Sequence, residues 1–159
     1  SLQCGDPVVY REHKTLWGAE GPVDESVTIP LGQAAVRRAG SDITIVSWSK
    51  QALVCAAACD TLAAQGIQAE LIDLRTIWPW DRDTVLASAA KTGRLLVVHE
   101  AIQAAGFGAE IAATAAEATG CKISRLGAPR IPVGYAPVLE AQSRVTADAI
   151  VARVQQLLA

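Results

Sequence analysis

The sequence is poor in several residue types, and each scarcity narrows the class of protein. It has no methionine, a single phenylalanine and two tyrosines among 159 residues. Its four cysteines form no CxxC pair. A disulfide scaffold and a thiol redox motif are therefore not expected, and the thiols are predicted to be reduced. Because the chain begins with serine and lacks methionine, we expect it to be a piece of a longer protein.

Clustered charge and long apolar runs are also missing. The chain carries 14 basic and 16 acidic residues, for a net charge of −2, with neither sign concentrated in one stretch. Nucleic acids and anionic membranes attract basic patches, so neither is an expected partner. The most apolar helical run, residues 52–64, is too short to span a bilayer and contains Asp60. A soluble, intracellular protein is expected.

What is present is an alternation of strand and helix patterns, which predicts an α/β fold with a mostly parallel sheet and helices on its faces. After an extended, turn-rich stretch to about Gly40, strands are predicted at 43–48, 69–74, 95–99 and 123–126. Helices are predicted at 49–64, from Asp81 or Asp83 to Gly93, up to Gly120, and at 146–158, with an irregular segment at 128–137. Ser49 and Thr146 are predicted N-caps, and Gly66 a left-handed C-cap.

Two features follow the third predicted strand. His99-Glu100 stands at its C-terminal end, where open α/β sheets place ligand groups. No nucleophile is spaced to use the imidazole, so a structural or interface role is favoured over chemistry. Gly106 and Gly108 then open a helix whose N-terminus could hold a phosphate. The spacing lacks the third glycine of a dinucleotide fingerprint, so tight packing is favoured over nucleotide binding.

Two further pairs leave alternatives open. Cys55 and Cys59 lie four apart on one helix face and could touch a metal or each other. Without two more nearby ligands, packing of small buried residues is favoured, and no metal site is assigned. Trp78 and Trp80 flank a proline in a turn. They either pack over a helix or stand out as interface anchors, and the sequence favours neither.

Five segments together resemble one known family. Residues 72–81, 97–100 and 106–110 resemble the C-terminal domain of the transketolase-like β subunit of 2-oxo acid dehydrogenase complexes. This thiamin-dependent component decarboxylates pyruvate, branched-chain 2-oxo acids or acetoin. Glu12-His13-Lys14 resembles the end of that subunit's pyrimidine-binding domain. Residues 29–34 resemble the entry to the C-terminal domain, with Gln33 where the family has lysine.

The resemblance implies a three-layer α/β/α domain with about five strands at residues 41–159, preceded by the end of the pyrimidine-binding domain and a linker at 1–40. In the family, thiamin diphosphate and magnesium lie between an α subunit and the pyrimidine domain, and neither part is expected here. The cofactor supplies the carbanion chemistry. No catalytic or cofactor-binding residue is therefore assigned, and the chain alone is expected to be inactive.

The implied partners are proteins. The family forms α2β2 heterotetramers, and some members dock the peripheral domain of a lipoyl acyltransferase. Trp78, Trp80, Glu117 and the carboxylate of Ala159 are the interface candidates. Arg130 stands where other members have aspartate, a departure that affects the docking chemistry. The sequence leaves both a monomer and a homodimer open for the isolated chain, although a face made for subunits favours self-association. The implied location is the bacterial cytoplasm or an organelle matrix.

Two other functions remain open. The chain could be a freestanding α/β ligand-binding or interaction module, since fold does not fix function. It could also be the same domain of transketolase or deoxyxylulose phosphate synthase, although the Glu-His-Lys element argues against these. The first 40 residues discriminate the module from the fragment. A fragment should leave Val8, Val9 and Leu16 exposed, whereas an independent module should bury them.

Overall fold

A computed structural model describes residues 4–22, 24 and 26–159, so residues 1–3, 23 and 25 of the predicted 1–40 segment lie outside it. The strands are β1 (Ala35–Arg38), β2 (Ile43–Ser47), β3 (Ala69–Asp73), β4 (Arg94–Ile102) and β5 (Lys122–Ala128). The helices are α1 (Ser49–Ala64), α2 (Arg82–Thr92), α3 (Gly108–Thr119), α4 (Pro137–Glu140) and α5 (Ala147–Leu158). Short 3-10 helices cover Lys14–Leu16 and Ala141–Ser143.

The strands form one sheet in the order β1-β3-β2-β4-β5. Strand β1 is antiparallel to β3, and the other neighbours are parallel. Strand residues alternate between the two faces, and both faces are apolar, as expected for parallel strands covered on both sides. Helices α1 and α5 cover one face, where Ile45 and Leu96 are buried; α2 and α3 cover the other, over Val46 and Val97. The predicted three-layer fold is confirmed.

Most predicted helix ends are also confirmed. Asp81 caps α2 by accepting the Thr84 N–H, and Thr146 caps α5 by accepting the Ala149 N–H. Gly66 has the predicted left-handed φ of +81°. The prediction for Ser49 was wrong, because it is the first residue of α1 and Trp48 occupies the cap position without a side-chain bond.

Strand β1 is the strand that the sequence did not predict. It lies in the stretch expected to be merely extended, and it pairs with β3 at the edge of the sheet. Its four residues include two arginines, and Val36 is 51% exposed, so no buried apolar pattern marks it. The division of the chain near residue 40 into two domains stays a prediction. Within the described ranges, no helix is long and apolar enough to cross a membrane.

A buried polar network joins the sheet to α2. Glu70 of β3 is 6% exposed and accepts hydrogen bonds from Ser88 Oγ (2.5 Å), from Lys91 Nζ and from the Gly40 N–H (3.3 Å). Thr44 Oγ1 lies 2.6 Å from Ser88 Oγ and extends the network into β2. Burial raises the pKa of Glu70, but the bonds from Lys91, Ser88 and Gly40 outweigh it and hold that pKa below its ordinary value.

Substituting Glu70→Gln should lower the free energy of unfolding at pH 7 by about 2 kcal/mol. The glutamine side chain keeps one acceptor oxygen and replaces the other with an NH2 donor, which cannot accept the hydrogen bonds that Glu70 accepts. Since the folded pKa of Glu70 is depressed, its stabilisation is present above the ordinary carboxyl value and is lost as pH falls through the folded value. Urea unfolding at neutral and acid pH should therefore show a difference from wild type that narrows in acid. Exposed Glu117→Gln is the control, and an equal loss for both variants would contradict the network.

Candidate functional site at the carboxyl edge of the sheet

His99 lies at the carboxyl end of β4 and is 1% exposed. Its Nδ1 is 3.0 Å from the carbonyl oxygen of Ala101, which can only accept, so Nδ1 carries the hydrogen. Nε2 is buried and has no hydrogen-bond partner among the described residues. The ring stacks on Trp48 with centroids 5.5 Å apart. Burial lowers the pKa of His99, an effect that Arg125 reinforces and the Ala101 carbonyl opposes, so the imidazole is neutral at physiological pH.

Three glycines, here called the glycine cradle, pack directly on this imidazole. A Cβ on Gly106 would lie 2.6 Å from His99 Cε1, one on Gly108 2.7 Å from Cδ2, and one on Gly127 2.8 Å from Cε1. Real Cβ contacts are not this short, so each position needs glycine for space. The packing interpretation of Gly106 and Gly108 is confirmed. Gly127, which comes from β5, is a contact that sequence reasoning missed.

The N-terminus of α3 is engaged by its own chain. The Ala109 N–H donates to the Gly106 carbonyl at 2.9 Å, and the Glu110 N–H donates to the Phe107 carbonyl at 3.0 Å. The carboxylate of Glu110 also stands in the first turn, where it opposes a bound anion. The geometry therefore favours a packed centre over a phosphate site.

A second pair links the N-terminal segment to the same edge. His13 Nε2 lies 3.0 Å from Glu100 Oε2, with the two side chains 26% and 42% exposed. His13 Nδ1 accepts the Thr15 N–H at 3.2 Å, so Nε2 carries the hydrogen that Glu100 accepts. The structure thus joins two motifs that the sequence only places far apart. Glu12 and Lys14 are exposed beside this contact.

Substituting His13→Ala should loosen the N-terminal segment without unfolding the domain. An exposed pair of this kind is worth up to about 1 kcal/mol, so the amide of Leu16, which donates to the backbone carbonyl of His13, should exchange hydrogen about two- to fivefold faster. Hydrogen–deuterium exchange mass spectrometry measures this. Exposed Lys14→Ala is the matched control. Unchanged exchange in the N-terminal peptide, or an equal change in the control, would contradict the role of the pair.

The motifs at 29–34 and 72–81 are joined by a second set of contacts. The Gly32 N–H donates to Thr76 Oγ1 at 3.2 Å, the Ala34 N–H donates to Asp81 Oδ2 at 2.8 Å, and Arg75 Nη2 donates to the Ala34 carbonyl at 3.1 Å. Burial raises the pKa of Asp81, but hydrogen bonds from Ala34 and Thr84 hold it below the ordinary value. Both motifs therefore have a structural role, which is to hold the entry of β1 against the start of α2.

The two tryptophans take different roles. Trp78 is 75% exposed, whereas Trp80 is partly buried against the core on the α2 and α3 face. Both line a shallow cavity of about 190 Å³ together with Arg82 and Glu110. The packing alternative thus fits Trp80, and the exposure that an interface anchor needs is found at Trp78.

Glu117 and Ala159 lie at the opposite edge of the sheet from the tryptophans, which follow the carboxyl end of β3. Gln155 of α5 donates to Gln65 at the end of α1, which places the end of α5 at the amino edge of the sheet. Glu117 is near the C-terminal end of α3, at the same edge but in the other helical layer. Both are exposed, and their docking role stays a prediction.

The two central cysteines are packed into the core. Cys55 and Cys59 are free thiols on the buried face of α1. Burial raises the pKa of Cys55 to about 12 and that of Cys59 to about 11, so both remain protonated thiols at neutral pH. The packing interpretation is therefore confirmed.

Large apolar side chains are exposed on two segments outside the core. In the N-terminal segment Val9 is 81% and Trp17 68% exposed, Val8 is exposed and Leu16 is half-buried. The second segment follows β5, and its exposed apolar residues are Ile131, Val133, Tyr135, Val138 and Leu139. The sequence predicted only an irregular surface segment at 128–137, without an exposed apolar surface. The run of aliphatic residues among its prolines was the available signal.

Comparison with known proteins gives one family. Residues 32–150 match the family model described as the transketolase C-terminal domain. The chain is 47% identical over 119 residues to 2-oxoisovalerate dehydrogenase subunit beta 2, mitochondrial, of Arabidopsis thaliana, covering 74% of this chain and 33% of that protein. It is 37% identical over 163 residues to the acetoin:2,6-dichlorophenolindophenol oxidoreductase subunit beta of Bacillus subtilis, covering 99% and 48%.

A solved structure has the same fold. It is described as a split gene transketolase, inactive beta4 tetramer, and superposes with a TM-score of 0.78 at 26% identity. The match covers 86% of this chain and 45% of that one. This chain therefore spans less than half the length of these relatives.

Proposed function

The chain belongs to the transketolase C-terminal domain family, and we propose that it is the assembly domain of a 2-oxo acid dehydrogenase β subunit, which holds subunits together and performs no chemistry alone. The exposed apolar surface carries this proposal. Val8, Val9 and Trp17 leave a face that water disfavours and that a partner would cover. A freestanding module should bury Val8, Val9 and Leu16; Val8 and Val9 are exposed and Leu16 is half-buried, so two of the three side chains favour the assembly domain.

The whole protein would oxidatively decarboxylate a 2-oxo acid with thiamin diphosphate and magnesium and pass the acyl group to lipoyl. Its partners would be an α subunit and a second β subunit in an α2β2 tetramer, and the peripheral domain of the acyltransferase. Pyruvate, branched-chain acids and acetoin all remain candidate substrates. The bacterial cytoplasm or an organelle matrix would house it. The beta4 relative supports self-association of this chain as a homodimer.

We also propose that this chain does not itself hold the cofactor. In the part of the chain that the structure describes, no group of three or more histidine, cysteine or acidic side chains could hold a metal ion. His99 faces the glycine cradle in place of an open cavity, and the first amides of α3 are engaged. These observations support placing thiamin diphosphate elsewhere in the whole protein.

An activity assay tests this proposal. The chain is mixed with thiamin diphosphate, magnesium, dichlorophenolindophenol as electron acceptor, and in turn pyruvate, 3-methyl-2-oxobutanoate or acetoin. We expect no dye reduction above the rate without protein, from a sample whose circular dichroism shows it to be folded. Turnover that scales with protein concentration would overturn the assembly proposal and assign chemistry to this domain.

A further inference from the structure

The cavity beside the two tryptophans has the composition of a small-ligand site. It lies between the N-terminal ends of α2 and α3, and its volume of about 190 Å³ equals the liquid volume of about six water molecules. Its lining consists of Trp78, Pro79, Trp80, Arg82, Glu110 and Thr114. Ligand sites typically combine an apolar lining with a few charged or polar groups, and both are present here.

The aromatic part of the lining is ordered by contacts with the rest of the domain. Trp80 packs against the core on the α2 and α3 face. Gly32 lies against Pro79, since a Cβ there would come within 3.3 Å of Pro79 Cγ, and its N–H donates to Thr76 Oγ1 at 3.2 Å. Trp78 is 75% exposed, so its indole is available to a ligand. A wall that is already ordered loses little conformational entropy on binding.

The cavity carries one charge of each sign, and neither charge is paired. Arg82 and Glu110 both line it, and both are exposed. Among the described residues, neither side chain forms an ion pair with the other or with a third group. The Glu110 carboxylate accepts a long hydrogen bond of 3.4 Å from Thr114 Oγ1. Both charges are therefore available to a ligand.

This pair of charges selects the class of ligand. A simple cation would be attracted to Glu110 and to the indole faces, but it would also face the guanidinium of Arg82. A simple carboxylate would bind Arg82 but would face the carboxylate of Glu110. A zwitterion satisfies both charges at once. An apolar side chain on the same molecule would lie against the tryptophans, where its removal from water is favourable.

We propose that this cavity binds a free α-amino acid with an apolar side chain. The ammonium group of the ligand bonds the carboxylate of Glu110, and its carboxylate bonds the guanidinium of Arg82. Its side chain lies against Trp78 and Trp80. The proposal goes beyond the assembly function, because a domain that performs no chemistry can still bind a small ligand.

Calorimetric titration of this chain with L-leucine tests the site. A ligand of this size should bind with a Kd of about 0.1–1 mM. Three relatives of leucine are the controls: 3-methylbutylamine lacks the carboxylate, 4-methylpentanoate lacks the ammonium group, and glycine lacks the apolar side chain. Each should bind at least about tenfold more weakly. Absence of leucine binding, or equal binding of any of the three relatives, would overturn the proposal.

Variants test whether leucine binds in this cavity. Arg82→Gln and Glu110→Gln each remove one charge and should each weaken leucine binding about tenfold or more. Asp83→Asn is the matched control, because Asp83 is an exposed acid next to Arg82 on α2 that does not line the cavity, and its binding should be unchanged. Circular dichroism checks that each variant is folded. Retained binding in either Arg82→Gln or Glu110→Gln would overturn the proposal, whereas the assembly function is decided separately by the activity assay.

Discussion

Alanine at Gly108 should destabilise the protein by about 2–3 kcal/mol, as expected for overpacking a tightly filled core. The added Cβ would lie 2.7 Å from His99 Cδ2 and 3.1 Å from Val97 Cγ1. His99 cannot move away freely, because Trp48 stacks on its ring and the Ala101 carbonyl binds its Nδ1. Urea unfolding followed by circular dichroism measures the loss.

Removing the imidazole should rescue this variant. The neighbours of the added Cβ at Gly108 are side-chain atoms, chiefly of His99. In a double-mutant cycle, Gly108→Ala and His99→Ala should therefore couple by about 1–2 kcal/mol in the favourable direction. Gly127→Ala is the control, because its Cβ would also lie 2.8 Å from the Ala101 carbonyl oxygen, which remains without the imidazole. Additive effects of Gly108→Ala and His99→Ala would contradict the cradle.

Substituting Asp81→Ala should lower the free energy of unfolding by about 2–3 kcal/mol. Loss of the N-cap of α2 accounts for about 1 kcal/mol, and the unpaired Ala34 N–H adds the rest. The pKa of Asp81 is held low in the folded protein. Its contribution is therefore present above the ordinary carboxyl value and lost as pH falls through the folded value.

Two companion variants separate the cap from the contact with β1. Asp83→Ala removes an exposed acid from the first turn of α2 and should cost about 0.3–1 kcal/mol through the helix dipole. Asp81→Asn keeps one acceptor oxygen and should fall between the two. Hydrogen exchange at Ala34 should accelerate in Asp81→Ala and stay unchanged in Asp83→Ala. Equal losses for Asp81→Ala and Asp83→Ala would contradict the account of the motif.

The sequence predicted the parallel strands because the residue types within each strand already indicate that it is buried. In β2 every residue is buried, and the run of β-branched residues alone marks it as a strand. Strand β1 has no such local signal. It is held by distant partners, with Arg37 Nη2 2.9 Å from Asp73 Oδ2 and the Ala34 N–H bound to Asp81. Contacts between residues so far apart in sequence form only in the folded chain, so no local sequence pattern predicts them.

The candidate site, like the fold, was only partly predictable from the sequence. The position of His99 at a strand end, and the close packing of the following glycines, followed from local pattern. The approach of Gly127 to the imidazole and the pairing of His13 with Glu100 join residues that are far apart in sequence. Local patterns also could not separate exposed Trp78 from partly buried Trp80, because that difference arises from the packing of Trp80 against the core cluster on the α2 and α3 face.

Isothermal titration calorimetry of this chain with thiamin diphosphate and magnesium tests the central claim most directly. An assembly domain whose carboxyl edge is filled by His99 and the glycine cradle should give no heat beyond dilution. Stoichiometric binding would contradict this, and would mean that the loop from Gly106 to Glu110 forms a cofactor site together with His99.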